Sequence, residues 1–269
     1  MSLLDPVLLE KWSTTHYKTV LRVVREVINR TPLVILAGDV GTGKTEIAES
    51  FPDTLARSLG VSATLYPLSL STRGRGGVGE MTTLLTEAFK KISDVARSGR
   101  DSDGKLKSAV ILLIDEGDAL AQSRELDQMH HEDRAGVNAL IRGVDGLRRD
   151  RLPVLTIIST NRELALDPAI IRRAARILRF TRPNDQQRLE LLSWQLKGSG
   201  IDDTSLSEIV RLTGPRDGRD FGCTYSDLRQ RYLVEVVLDS LDTGPLSGER
   251  LIQIADGFVP TPPFRDADG

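Results

Sequence analysis

The chain has 269 residues, a length that suits one large domain or two unequal ones and is sufficient for a hydrophobic core. Its 36 basic and 38 acidic side chains give a formal net charge of −2, which argues against a nucleic-acid or anionic-membrane partner. With 39% apolar and 28% charged residues, the composition is that of a globular protein and excludes the disordered and fibrous classes.

Two features bear on the compartment in which the protein works. Cys223 is the single cysteine, so an internal disulfide is impossible and a reducing compartment is favoured. The sequence contains no apolar run long enough to span a bilayer, and residues 1–5 do not resemble the start of a signal peptide. We therefore expect a soluble, cytoplasmic protein.

Short apolar runs alternate with helical patterns over the first two thirds of the chain, which is typical of an α/β domain with a parallel sheet. The third and fourth of the predicted strands are apolar almost throughout, as expected of strands that are covered on both faces. The predicted strands span residues 33–37, 63–68, 110–114, 154–158 and 177–180.

After Phe180 only helical patterns follow, so we predict a second domain that is entirely helical. One of its helices is predicted to begin at Ser205, where Glu208 three residues later completes a capping box. The predicted organisation is an N-terminal helical segment (1–30), an α/β domain (31–182), a helical domain (183–258) and a tail (259–269).

A phosphate-binding motif directly follows the first predicted strand. The run Gly38-Asp39-Val40-Gly41-Thr42-Gly43-Lys44-Thr45 has the spacing GxxxxGK[ST], in which glycines let backbone N–H groups surround phosphate oxygens. Lys44 is expected to neutralise the β- and γ-phosphates, the Thr45 hydroxyl to hold Mg²⁺, and Glu46 to complete the nucleotide-binding residues. The alternative is a glycine-rich turn without a ligand, which the strand before it and the helix after it disfavour.

Two further strands are predicted to end in polar residues at the same edge of the sheet, where ligands of such sheets bind. Asp115 follows the third strand and is expected to complete the Mg²⁺ shell, while Glu116 is placed to polarise a water for attack on the γ-phosphate. Asn161 follows the fourth strand and is expected to hold the attacking water or to contact the γ-phosphate. The alternatives at these positions are solvated carboxylates and an ordinary turn residue.

Together with the run Leu166-Asp167-Pro168-Ala169-Ile170-Ile171-Arg172-Arg173 and a helical lid, these motifs resemble those of AAA+ ATPases. The resemblance implies a ring of protomers, usually a hexamer, with ATP and Mg²⁺ at the subunit interfaces. It also implies that Arg172 or Arg173 reaches into the neighbouring site as an arginine finger, with a surface salt-bridging pair as the alternative. Ala174-Ala175-Arg176 departs from the spacing of many members, which leaves the choice of arginine open.

Residues 133–145 and 84–92 resemble one branch of this family, the pachytene-checkpoint-type remodelers. These ATPases open HORMA-domain proteins by pulling on their N-terminal segment. Bacterial members accompany HORMA proteins and cGAS-like nucleotidyltransferases in cyclic-oligonucleotide (CBASS) anti-phage operons. The resemblance therefore implies a HORMA-protein substrate and a role in switching off antiviral signalling. The wider resemblance to AAA+ ATPases, which often place a cis-acting arginine at the start of a lid helix, implies that Arg229 contacts nucleotide in its own protomer, with a plain helix-surface charge as the alternative.

The loop that unfoldases place at the central pore is expected at residues 73–80. Many unfoldases carry an aromatic residue there, whereas this sequence offers Val78 beside Gly77, with Arg73 and Arg75 as basic candidates for gripping a polypeptide. A flexible surface loop is the alternative, and the two arginines leave a nucleic-acid interaction open. The run at 130–133, His-His-Glu-Asp, lacks a cysteine or a spaced ligand set, so we predict an exposed loop rather than a metal cluster.

These observations favour a magnesium-dependent, ring-forming ATPase that converts hydrolysis into mechanical work on a protein. One alternative is a nucleic-acid-acting ATPase such as a helicase or clamp loader, although the sequence shows neither a basic patch nor an added DNA-binding domain. The others are an AAA+ unfoldase with an unrelated substrate and a nucleotide-gated binding switch. An intact Glu116 argues against the switch, which could dispense with an efficient base.

Overall fold

The computed structural model describes residues 32–70, 80–120 and 130–264. The predicted N-terminal helical segment and the predicted pore-loop residues Arg73, Arg75, Gly77 and Val78 lie outside these ranges. The chain divides into two compact units. The first contains the described residues up to Gly38 and those from Lys44 to Arg179, and the second contains Asp39–Gly43 and the described residues from Phe180 onward.

A five-stranded sheet organises the α/β part of the chain. Its strands are β1 (Leu33–Gly38), β2 (Ser62–Ser69), β3 (Ser108–Asp115), β4 (Val154–Thr160) and β5 (Arg176–Phe180). Their spatial order is β2-β3-β4-β1-β5. The pairings of β2 with β3, β3 with β4, and β4 with β1 are parallel. β3 and β4 are buried along nearly their whole length, which explains why their sequences are continuously apolar.

The helices of the first unit are α1 (Lys44–Leu59), α2 (Glu80–Ala96), α3 (His130–Arg149) and the short α4 (Pro168–Ile171), with 3₁₀ turns at Gly117–Leu120 and Glu163–Ala165. Because α3 begins at His130, the loop predicted over residues 130–133 is wrong. Acidic residues are favourable in the first turn of a helix, where they oppose the positive end of its dipole, so the polar run is compatible with a helix start.

Glycine lets α2 and α3 approach each other closely. A Cβ atom at Gly143 would lie 2.3 Å from the ring of Phe89, and one at Gly136 would lie 2.3 Å from Met81 Cε. Phe89 is buried with Val144 in the core that these helices share with the sheet. Close packing of this kind leaves no space for an added methyl group.

The second unit is built of helices between residues 185 and 257: α5 (Asp185–Gln195), α6 (Asp203–Thr213), a π-helical segment (Asp227–Tyr232) continued by α7 (Leu233–Thr243), and α8 (Gly248–Gly257).

Asp227 is buried and accepts hydrogen bonds from Thr224 N, Thr261 N and the Thr261 hydroxyl. Burial opposes ionisation of this carboxyl, but the hydrogen bonds outweigh it and lower the pKa of Asp227. Within the described ranges, every helix is too short or too polar to span a bilayer.

The start of α6 corrects a sequence prediction. Asp202 is the N-cap, since its carboxylate accepts a hydrogen bond from Ser205 N at 2.7 Å, and this bond lowers the pKa of Asp202. Ser205 is buried inside the first turn, so the predicted capping box of Ser205 and Glu208 is wrong. Glu208 pairs instead with Arg211 at 2.6 Å. Aspartate and serine cap helices about equally well, and the chain uses the earlier of the two.

Replacing Gly143 with alanine is expected to lower the free energy of unfolding by about 1–3 kcal/mol, because the added Cβ overpacks against Phe89. Gly146 is the matched control in the same helix, since a Cβ there would lie 3.9 Å from Arg149 Nη2, an ordinary contact. Gly146→Ala is expected to raise the free energy of unfolding by up to about 1 kcal/mol through helix propensity. Urea unfolding followed by circular dichroism measures both variants, and equal changes would contradict the packing described.

Candidate functional site

Parallel pairing places the carboxyl ends of three strands at one edge of the sheet. In register, Ala37 of β1 lies beside Thr160 of β4, and Ile114 of β3 lies beside Ile158 of β4. Side chains that follow these strands therefore come together. The predicted site residues brought to this edge in the first unit are Lys44, Thr45, Asp115, Glu116 and Asn161.

Lys44 is a buried cation in this group. Only 6% of the residue is exposed, and its Nζ donates hydrogen bonds to Gly38 O and to Asn161 Oδ1, both at 2.9 Å. A buried ammonium group needs acceptors that replace its hydration, and the strand end and the amide supply them. Phosphate oxygens are stronger, charged acceptors for such a group.

Thr45 and Asp115 place a hydroxyl and a carboxylate side by side at this edge. Thr45 Oγ1 lies 3.2 Å from Asp115 Oδ2 and 3.4 Å from Asp115 Oδ1. Hydroxyl and carboxylate oxygens are the hard donors that Mg²⁺ prefers, and Mg²⁺ in nucleotide sites commonly uses one or two protein ligands together with phosphates. This donor set fits magnesium.

Glu116 adopts an uncommon backbone conformation directly after Asp115. Its φ angle is +55°, in the left-handed region that few residues other than glycine adopt. The exposed carboxylate accepts a hydrogen bond from Ser69 Oγ at 3.2 Å, at the end of β2. At Gly117 a Cβ would lie 2.4 Å from Ile158 Cγ2, so a larger residue would displace the turn. The hydrogen bond from Ser69 holds the Glu116 carboxylate near the strand ends.

Asp118 is a site residue that the sequence analysis missed. Its carboxylate accepts hydrogen bonds from the backbone N–H of Asn161 at 2.9 Å and from Asn161 Nδ2 at 3.2 Å. The available signal was an acidic residue two positions after Glu116, but nothing local identifies its partners at the end of β4.

The two candidate arginine fingers differ in their surroundings. Arg173 donates from Nε and Nη2 to Asp145 at 3.0 Å each and from Nη1 to Ala169 O at 3.1 Å. The hydrogen bonds to Asp145 and its negative charge raise the pKa of the Arg173 guanidinium. Arg172, by contrast, is exposed. Within this chain Arg173 is thus bound to a carboxylate of α3, whereas Arg172 reaches solvent.

In the second unit, Asp39 of the phosphate loop is bound by an arginine. Arg182 donates from Nε to Asp39 Oδ2 at 2.7 Å and from Nη1 to Gly222 O at 2.7 Å, and its guanidinium lies 5.0 Å from the centre of the Phe221 ring. The other carboxylate oxygen of Asp39 accepts from Phe264 N at 3.0 Å. Two parts of the second unit therefore hold this loop residue directly, Arg182 and Phe264 N.

Gly41 lies against the segment that leads into the π-helical turn. Its φ angle is +73°, and a Cβ there would lie 2.7 Å from Thr224 Oγ1, so both conformation and space require glycine. Ser226 N donates to Gly41 O at 3.1 Å. Arg229, the predicted nucleotide contact of the helical domain, is half-buried on the π-helical segment.

Comparison with protein-family models matches residues 34–182 to the ATPase family associated with various cellular activities (AAA). The chain belongs to the AAA ATPase family. It is therefore a nucleotide-binding, ATP-hydrolysing enzyme, and the predicted fold class, a parallel sheet with flanking helices, is confirmed.

Close relatives are also found among known proteins and structures. CD-NTase-associated protein 6 of Escherichia coli strain MS 115-1 is 49% identical over 264 residues, which cover 98% of this chain and 85% of the relative. A chain in the structure of the E. coli MS115-1 HORMA:CdnC:Trip13 complex is 48% identical with a TM-score of 0.81, and the match covers 97% of this chain and 85% of that one. The structure of Rhizobiales Trip13 is 39% identical with a TM-score of 0.69, and the match covers 96% of this chain and 85% of that one. The resemblance to this branch is confirmed.

Proposed function

We propose that this ATPase assembles into a hexameric ring in the cytoplasm and uses ATP hydrolysis to remodel a HORMA-domain protein. The observation that carries the proposal is the likeness, at a TM-score of 0.81 over 97% of the chain, to a chain of a complex containing HORMA, CdnC and Trip13. By opening its substrate, the enzyme would release a cGAS-like nucleotidyltransferase from the HORMA protein and so switch off a CBASS anti-phage response. A relative that is CD-NTase-associated supports this partner.

The phosphate loop is the proposed binding site for the triphosphate. Backbone N–H groups of Gly38 to Gly43 and the start of α1 would surround the phosphate oxygens, and Glu46 lies in the first turn of α1. Lys44 would exchange Gly38 O and Asn161 Oδ1 for oxygens of the β- and γ-phosphates. Thr45 and Asp115 are the residues that would hold Mg²⁺, which when bound offsets charge on the same phosphates.

Hydrolysis needs a base and charge stabilisation beside the γ-phosphate. Glu116, exposed and held by Ser69, is the proposed general base that takes a proton from the attacking water. Asn161 would orient that water or contact the γ-phosphate. Arg172 of the neighbouring protomer is the proposed arginine finger, because it is exposed while Arg173 is bound to Asp145.

Two further assignments belong to the same proposal. Arg229 would contact nucleotide within its own protomer. The predicted pore loop, with Val78 beside Gly77 and the basic Arg73 and Arg75, would contact the HORMA protein during remodelling. The small branched side chain of Val78 would hold a threaded chain less strongly than an aromatic ring, because it buries less apolar surface against that chain.

Glu116→Gln tests the proposed activity most directly. The amide cannot accept a proton, so kcat for ATP is expected to fall by about 10²- to 10⁴-fold while nucleotide affinity is retained. The variant is then expected to remain bound to its substrate when ATP is present. Phosphate release, together with size-exclusion chromatography of the variant mixed with the HORMA protein and nucleotidyltransferase encoded nearest to its gene, measures both effects.

Two control variants make this experiment specific. Lys44→Ala is expected to lose nucleotide affinity and with it the ATP-dependent capture of substrate. Glu87→Gln changes an exposed glutamate of α2 and is expected to match the wild-type chain. Unchanged turnover in Glu116→Gln would place the base elsewhere. Slow turnover without ATP-dependent capture of the HORMA protein would support Glu116 as the base but contradict the HORMA protein as the substrate.

Mixed rings test the proposed arginine finger. Arg172→Ala and Lys44→Ala are each expected to be inactive, the first for lack of a finger and the second for lack of nucleotide. In a mixture, a protomer with an intact phosphate loop can stand beside one with an intact Arg172, so part of the ATPase activity is expected to return. Arg173→Ala mixed with Lys44→Ala is the comparison. If ATPase activity returned in that mixture but not in the mixture with Arg172→Ala, Arg173 and not Arg172 would be the arginine finger.

A further inference from the structure

Asp118 lies in the 3₁₀ turn after β3, and its carboxylate binds the end of β4. One oxygen, Oδ1, accepts hydrogen bonds from the backbone N–H groups of Asn161 at 2.9 Å and Arg162 at 3.1 Å, and from the Thr160 hydroxyl. The other, Oδ2, accepts from Asn161 Nδ2 at 3.2 Å. A single carboxylate with four donors fixes both the backbone and the side chain at this strand end.

The chemistry of these partners dictates which way the Asn161 amide points. An ionised carboxylate only accepts hydrogen bonds, so the NH₂ group of Asn161 must face Asp118. The amide oxygen then points to Lys44 Nζ, an ammonium that only donates, at 2.9 Å. The reversed amide would set oxygen against carboxylate and NH₂ against ammonium, and both hydrogen bonds would be lost.

We propose that Asp118 is a positioning residue for ATP hydrolysis: it fixes the Asn161 amide with its oxygen, and not its NH₂ group, directed toward Lys44. The inference rests on the proposed role of Asn161 and makes that role specific. When Lys44 turns to phosphate oxygens, Asn161 Oδ1 becomes a free acceptor beside them. An acceptor orients the attacking water by accepting a hydrogen bond from it, whereas a donor would contact the γ-phosphate itself.

Asp118→Asn tests the inference with almost no change in shape. Its new amide can keep an oxygen for the backbone N–H groups and turn its own NH₂ toward Asn161, whose amide then reverses. We expect kcat to fall by about tenfold or more while KM for ATP stays within about threefold, since a lost orientation acts in the transition state. In an Asn161→Ala background, Asp118→Asn is expected to lower kcat no further, because Asp118 acts through that side chain.

Asp101→Asn is the matched control for loss of a carboxylate. Asp101 lies in the same unit and accepts hydrogen bonds from Asp103 N at 3.0 Å and Lys105 N at 2.8 Å, away from the strand ends. Its kcat and KM are expected to match those of the wild-type chain. A normal kcat in the Asn161→Ala variant would contradict the proposed role of Asn161. A low kcat in Asn161→Ala together with a normal kcat in Asp118→Asn would contradict only the positioning role of Asp118.

The exchanged pair distinguishes an acceptor from a donor. Asn161→Asp alone sets two carboxylates against each other and is expected to be slow. Combined with Asp118→Asn, it restores an NH₂-to-carboxylate hydrogen bond and leaves an acceptor oxygen toward Lys44, so kcat is expected to rise above that of both single variants. An exchanged pair no faster than Asn161→Asp would overturn the inference.

Discussion

The parallel register of β3, β4 and β1 is the constraint on which the candidate site depends. Side chains alternate between the faces of a strand, so a slip of one residue in β4 would move Asn161 away from Lys44. The burial of β3 and β4 on both faces fixes this register, because a slipped strand would leave well-packed apolar side chains without partners. Sheet packing and site geometry therefore depend on the same strands.

The parts of the fold and site that could be predicted from sequence carry local signals. The phosphate loop is contiguous, and its spacing specifies a strand before it and a helix after it, as β1 and α1 show. The predicted strand at 110–114 lies inside the observed β3, because a buried strand reads as an unbroken apolar run. The placement of Asp115 and Glu116 at the sheet edge could be predicted because they lie at the end of that strand.

The parts that could not be predicted depend on residues that are distant in sequence. Asp118 binds residues at the end of β4, and Arg173 pairs with Asp145 of α3, so neither contact can be read from a local pattern. The predicted start of α6 was wrong for a different reason, since aspartate and serine are both good N-caps and only packing selects between Asp202 and Ser205. Family resemblance named both arginines, but the Asp145 contact distinguishes their surroundings.

In the proposed function, each protomer holds nucleotide at its own strand edge and completes hydrolysis only with a neighbour's arginine. The most direct test measures ATPase rate per protomer across a dilution series, with the oligomeric mass determined by light scattering in the same samples. If hydrolysis needs the neighbour, the rate per protomer will fall in parallel with the loss of rings. A monomer that hydrolyses ATP at the undiluted rate would contradict it.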